Sequence, residues 1–230
     1  MLTLLTPGRG KIRATARGAR RSKRRFPGCL ELFVRIEVQV AEGARGGWAR
    51  LEEAVLLDAH EGLKKDLVAI AQAGYLAELV EATTKEDDPA PELYDLLRSA
   101  LEALQNGHVS AAALRHYELD LLQRIGWAPH LDGCVSCGRT EAKAWTFDFD
   151  RGGILCPDCE AGPRREPIEM RVLDLLRTLR ISAPEAPLDR ELMAKARDLL
   201  AKILDPIVAR PLKAREFLRQ LARESSGGPE

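Results

Sequence analysis

Two Cys-x-x-Cys pairs, Cys134/Cys137 and Cys156/Cys159, are separated by 18 residues in a chain whose one other cysteine is Cys29. That spacing is the pattern of a four-thiolate zinc site. Zinc takes soft ligands at tetrahedral corners, and two such knuckles joined by a hairpin supply them without strain. Between the pairs, Trp145, Phe147 and Phe149 alternate with polar residues and Gly152-Gly153 follows, so a strand, a tight turn and the second knuckle are expected, the plan of a zinc ribbon. A closed four-sulfur site leaves no position for water, which makes the expected Zn2+ structural. The three aromatic residues are read as the mini-core such a small module needs rather than as base-stacking groups.

Two other uses of the cysteines fit less well. Disulfides suit a secreted protein, but the cysteine count is odd and no charged-then-apolar leader opens the chain. A catalytic zinc of the deaminase kind is faintly suggested by His116-Tyr117-Glu118 ahead of Cys134-x-x-Cys137. No Pro precedes Cys134, the second pair would stand idle, and His116 falls on an apolar helical face.

The formal charge of the 230 residues is zero, yet the first 30 hold nine cations and no acid, leaving 26 cations against 35 acids in the rest. A basic head on an acidic body points to a polyanionic partner at one end. No apolar run approaches the roughly 18 to 20 residues that span a bilayer, so a protein free of the membrane in a reducing, cytoplasmic compartment is expected.

Period-2 patterning dominates the first third. Leu2 to Thr6 and Lys11 to Arg17 flank a Pro7-Gly8-Arg9-Gly10 turn. Leu30, Leu32, Val34, Ile36, Val38 and Val40 then predict one long strand, with a turn over 43–47 and a returning strand or helix from Trp48 to Leu57. From about Asp58 the period becomes helical. Stripes run through Leu63 to Leu79, Leu93 to Leu104, Leu114 to Ile125, Ile168 to Leu179 and Leu192 to Val208, with a short last helix from Leu212 to Leu221. The acidic loop Lys85-Glu86-Asp87-Asp88-Pro89-Ala90-Pro91 separates the first two stripes, and the Ser-Ser-Gly-Gly-Pro tail is read as disordered. The expected architecture is α+β: a small antiparallel barrel over 1–57, then a helical domain over 58–230 with the ribbon, 131–163, inserted.

The cations Arg9, Lys11, Arg13, Arg17, Arg20, Arg21, Lys23, Arg24 and Arg25 gather on and between barrel strands. Cationic loops on a small five-stranded barrel are the usual geometry of a single-stranded nucleic-acid binder. Phe26, the one aromatic of this block, is suited either to stacking on a base or to anchoring the loop. A nuclear-targeting run is the less fitting reading, since such runs sit on free tails rather than between strands. Gly8-Arg9-Gly10-Lys11 is not a P-loop, because Leu5 stands where a Gly is needed and Ile12 where Ser or Thr is needed. Neither a Ser/His/Asp set nor a paired-carboxylate cleft can be picked out, so no enzymatic reaction and no small-molecule substrate are expected.

In this order, basic barrel, helical body, inserted ribbon and closing helix resemble the bacterial RecO recombination mediator family over nearly the whole chain. The resemblance is carried by Leu4-Leu5-Thr6-Pro7-Gly8-x-Gly10-Lys11, Ala16-Arg17-Gly18-Ala19-Arg20-Arg21-Ser22-Lys23 and Arg25-Phe26-Pro27-Gly28. Further on it is carried by Leu114-Arg115-x-Tyr117-Glu118-Leu119-x-Leu121-Leu122, Gly126-Trp127-x-Pro129 and Arg210-Pro211-Leu212-Lys213-Ala214-Arg215-Glu216. It implies an OB-fold and binding of single- and double-stranded DNA, with annealing of complementary strands. It also implies work with RecR and contact with the acidic C-terminal tail of single-strand-binding protein, so that the RecA recombinase loads onto covered DNA in the bacterial nucleoid. Lys213, Arg215 and Arg219 are the candidates for holding that acidic peptide. The family's chains carry a first strand ahead of the Leu-Thr-Pro-Gly stretch, whereas Met1 opens here directly on Leu2. An incomplete barrel with an unpaired edge and weakened DNA binding is therefore expected.

Two different readings compete. One is a zinc-ribbon RNA-binding accessory protein of transcription or translation; the other is a protein-docking scaffold whose working part is the acidic helical body.

Overall fold

The computed structural model describes residues 1–19, 25–43 and 47–226, and the chain forms two compact units, Met1–Val109 with Pro211–Glu230, and Ser110–Arg210. The limits 1–57 and 58–230 read from the sequence mark where strand period gives way to helix period. The compact units instead group α-helices from both ends of the chain with the sheet.

In the first unit, β1 (Leu2–Thr6), β2 (Gly10–Thr15), β3 (Arg35–Ala41) and β4 (Ala49–Asp58) form one sheet in the order β1-β2-β4-β3. β1 and β2 are a hairpin with Thr6 opposite Gly10, β2 meets β4 in parallel at Ala14–Ala49, and β3 and β4 run antiparallel with two register shifts. Ala14, Phe26, Cys29, Ala49, Leu51 and Ala54 are the buried centre, against which Leu2, Leu4, Ile36, Val38 and Val40 pack. The alternation that predicted these strands is the alternation that fills this core.

Two expectations are corrected here. The anticipated barrel is an open sheet among the described residues, with β1 and β3 as its edges. The strand expected from Leu30 begins only at Arg35, because the chain turns through Leu30–Phe33 and Phe33 sits at φ +62°, a conformation no strand contains. The turn read over 43–47 falls partly on residues 44–46, outside the described residues.

Three helices complete the unit: α1 (Leu67–Thr83), α2 (Pro91–Leu104) and α6 (Lys213–Ser226). Asp66 caps α1, its carboxylate accepting from the N–H groups of Val68 and Ala69 at 2.8 and 3.2 Å and from His108 Nδ1 at 2.8 Å. These bonds, the one from His108 foremost, hold the Asp66 carboxyl down to about 2. α6 packs on α1, and the Ala214 N–H donates to Glu78 Oε2 at 3.0 Å. The last helix thus runs past the expected end at Leu221; the tail read as disordered lies, from 227 on, outside the described residues.

The second unit holds α3 (Ala111–Arg124), α4 (Met170–Ile181) and α5 (Arg190–Val208), packed on one another. Ser110 and Asp189 cap α3 and α5 through their side chains. Leu114, Leu121, Leu122, Val172, Leu176, Leu179, Ala196, Leu200 and Leu204 are buried, the stripes read from the sequence. Between α3 and α4 lies a three-stranded sheet of order β6-β5-β7, built from β5 (Trp145–Asp148), β6 (Gly153–Leu155) and β7 (Arg165–Ile168). Among the described residues no helix is long and apolar enough to cross a membrane.

Candidate functional site

The ribbon brings its four cysteines together. The Sγ atoms of Cys134, Cys137, Cys156 and Cys159 all lie within 4.8 Å of one another, and those of Cys137 and Cys156 are 3.7 Å apart. A tetrahedral zinc with bonds of about 2.3 Å requires sulfurs about 3.8 Å apart along each edge. The donor set therefore fits such an ion in number and type, and the Cys137–Cys156 pair already stands at that spacing.

Backbone bonds shape the knuckles. Gly138 N–H donates to Cys134 O and Cys134 N–H to Arg139 O, each at 2.8 Å, while Cys159 N–H donates to Cys156 O at 3.0 Å. The first knuckle is fastened to the hairpin by Val135 N–H to Ile154 O at 2.9 Å. This close approach depends on Gly153, where a Cβ would stand 2.4 Å from Val135 Cγ1 and 2.8 Å from His130 O. Burial alone would raise the Cys134 thiol, but the N–H groups of Cys156, Cys137 and Ser136 hold it down to about 6. Hydrogen bonds with the Cys137 and Cys156 sulfurs push Cys159 up to about 12. A metal ion would have to displace that proton, which makes its binding pH-dependent.

Trp145 and Phe147 are buried, and Phe149 meets Phe147 edge-on at 5.1 Å, as expected of a mini-core. His116 Nδ1 lies 2.7 Å from Leu179 O, and Glu118 pairs with Arg115 at 2.6 Å. Both deaminase-like groups are thus engaged within the helices.

Sequence reasoning missed what holds the ribbon to α4. Arg180 grips Asp132 with two bonds of 2.9 Å, Arg177 Nε donates to Leu131 O at 2.9 Å, and Leu131 is fully buried. The Arg180 bonds hold the Asp132 carboxyl below the usual range. The i,i+3 spacing of Arg177 and Arg180 was the available signal, since it puts both on one helical face.

In the other unit the basic head is only partly described: Arg20, Arg21, Lys23 and Arg24 lie outside the described residues. Arg9 Nη2 meets Asp87 Oδ1 at 2.5 Å and Arg13 Nε meets Glu86 Oε1 at 2.8 Å, while Lys11 Nζ donates to Glu81 O at 2.7 Å. Arg17 is exposed, and its carbonyl accepts from Arg25 Nη2 at 2.6 Å. The Arg25 guanidinium lies 5.0 Å from the centroid of the Phe26 ring. Phe26 itself is buried in the sheet core, the place of a loop anchor rather than of a base platform. On α6, Arg215 and Arg219 stand one turn apart on a shared flank, Arg219 lying 3.7 Å from Glu216, and Lys213 is exposed in the first turn.

Comparison with known proteins covers both units. Residues 1–60 match the family described as Recombination protein O N terminal, and residues 64–216 match Recombination protein O C terminal. The chain is 37% identical over 227 residues to the DNA repair protein RecO of Anaeromyxobacter sp. (strain K), covering 96% of this chain and 89% of that protein. It is 36% identical over 222 residues to the DNA repair protein RecO of Myxococcus xanthus, covering 96% and 90%. With that of Geobacter sulfurreducens it shares 35% over 226 residues, covering 96% and 90%. Matched by both family models, which together span nearly all of its length, and identical to these relatives at about a third of its positions, the chain belongs to the RecO family of DNA repair proteins.

Proposed function

We propose that this protein is a recombination mediator that binds single- and double-stranded DNA, promotes annealing of complementary strands and helps load a recombinase onto DNA covered by single-strand-binding protein. Membership of the RecO family along both units supports this reading, and the nine cations without an acid in residues 1–30 carry it.

The proposed phosphate contacts are the cations of residues 1–30, Arg9, Lys11, Arg13, Arg17, Arg20, Arg21, Lys23, Arg24 and Arg25. Each phosphate neutralised releases condensed counterions, so affinity falls steeply with salt. RecR and the acidic tail of single-strand-binding protein are the proposed protein partners, with Lys213, Arg215 and Arg219 offered to the tail's carboxylates. The proposed setting is the bacterial nucleoid.

The metal is proposed to be Zn2+, held by Cys134, Cys137, Cys156 and Cys159. When bound it supplies folding free energy to the ribbon and no reaction chemistry. The residues around it do the positioning: backbone N–H groups aim the knuckle sulfurs, and Arg177 and Arg180 fix the ribbon to α4.

The test pairs a strand-annealing assay with a salt titration of oligonucleotide binding. Faster annealing is expected, with a log-log slope of roughly −3 to −4 if about four to six cations touch single-stranded phosphates. An absence of annealing together with tight RNA binding would favour the accessory-protein reading instead.

A further inference from the structure

The basic hairpin is already occupied by an acidic segment of its own unit. Between α1 and α2 the chain passes along β2, where Glu86 pairs with Lys11 as an isolated parallel bridge and Asp87 N–H donates to Lys11 O at 3.0 Å. Gly10, at φ +60°, lies so close that a Cβ would stand 1.8 Å from Asp88 O. On this backbone footing Glu86 and Asp87 deliver their carboxylates to Arg13 and Arg9.

The footing and the ion pairs differ in kind. The bridge is main chain against main chain, with Lys11 tied down through Glu81 O. The two arginines remain 44% and 41% exposed, and their carboxylates 62% and 48%. Exposed pairs of this sort are weak and open to exchange. Arg9 and Arg13 can therefore trade a carboxylate for a phosphate by side-chain rotation alone, with the backbone left in place.

We propose that Glu86 and Asp87 act as a built-in competitor of the polyanion, holding Arg9 and Arg13 out of service until phosphates displace them. This rests on the phosphate-binding reading above. Its effect is a tempered grip, since each phosphate gained at these two positions must first displace a carboxylate.

The experiment compares the full chain with its Glu86→Gln/Asp87→Asn variant, which keeps the shape and the backbone bridge. Affinity for single-stranded oligothymidylate is expected to rise roughly three- to tenfold, and the salt slope to steepen by about 1.4 as two more cations release counterions. Adding Arg9→Gln/Arg13→Gln to that variant should abolish the gain, and the same two changes should cost the unaltered chain roughly three- to tenfold less affinity than they cost the variant. Glu37→Gln/Glu53→Gln, exposed acids elsewhere on the sheet, removes equal charge and is expected to give less than half the gain. An equal gain from that pair, no gain in either oligonucleotide affinity or heparin elution, or an equal loss on changing Arg9 and Arg13 in the unaltered chain and in the variant would overturn the proposal. Elution from heparin, a polyanion that is not a nucleic acid, separates the two ideas. Later elution of the variant without any oligonucleotide binding would sink the DNA reading and leave the competition standing.

Discussion

In α3, Arg115 and Glu118 meet at 2.6 Å with side chains only 8% and 2% exposed, whereas Arg9 and Asp87 meet at 2.5 Å with side chains 44% and 62% exposed. The distances are nearly the same and the energetics are opposite. Inside α3 both charges have lost their water, so removing Glu118 takes from the buried Arg115 guanidinium the carboxylate it meets. At the hairpin, water stands ready to replace either partner, and the pair contributes little to stability. The ribbon extends the first pattern, since three of its four thiols are at least partly shielded and they face one another. The buried pair of α3 and the cysteine cluster thus spend charge on holding a shape, and the hairpin keeps charge available for exchange.

The sharpest way to break this comparison is at the cysteine cluster. Replacing Cys134 and Cys137 with Ser should abolish metal content and unfold the ribbon, forfeiting a binding free energy of about 10 kcal/mol or more for a zinc-type site. Elemental analysis together with amide exchange across 131–163 reads the result. Retained metal and retained protection would show that the cluster is not what organises the hairpin. Next in size, Glu118→Ala should destabilise folding by about 3–5 kcal/mol through the stranded Arg115 charge, read from urea unfolding. Arg9→Gln should cost at most about 1 kcal/mol in the same measurement. Similar losses for both would erase the distinction.

On the binding side, replacing Arg20, Arg21, Arg24 and Arg25 with Ala should weaken DNA binding alike across sequences and flatten the salt slope by up to about 3. A loss confined to some sequences would mean that these side chains read bases. Smallest is the Asp66 cap. A carboxyl with its folded pKa lowered to about 2 contributes stability that is fully present above its unfolded value. That contribution is lost as pH falls from about 4 through about 2. Asp66→Ala should cost about 1 kcal/mol near neutral pH and flatten the unfolding curve in that acid range. An unchanged acid limb in the variant would show that the cap is not its source.

What could be read from sequence follows from how locally each feature is encoded. The cysteine knuckles were legible because metal coordination dictates their spacing. The helix stripes were legible because burial repeats every turn, and the ribbon aromatics because alternation survives in a short strand. The carboxylate partners of Arg9 and Arg13 were not, since the residues meet across more than 70 positions and nothing local marks them. Leu30 to Val34 kept the strand alternation while the backbone turned at Phe33. There the sequence pattern of buried and exposed side chains outlived the geometry it usually signals. Phe26 had two reasonable roles, and its burial beside Cys29 and Ala54 separates them.

The docking of α6 on α1 bears on how the protein is made. The Ala214–Glu78 bond joins residues 136 positions apart, so at about 5–20 residues per second α1 emerges from the ribosome roughly 7 to 27 s before the helix that covers it. Residues 110–210, emerging in between, bring their own helical neighbours with them. The nascent chain therefore has reason to finish its middle first and its beginning last, with one flank of α1 left bare in the interval as a natural foothold for a chaperone.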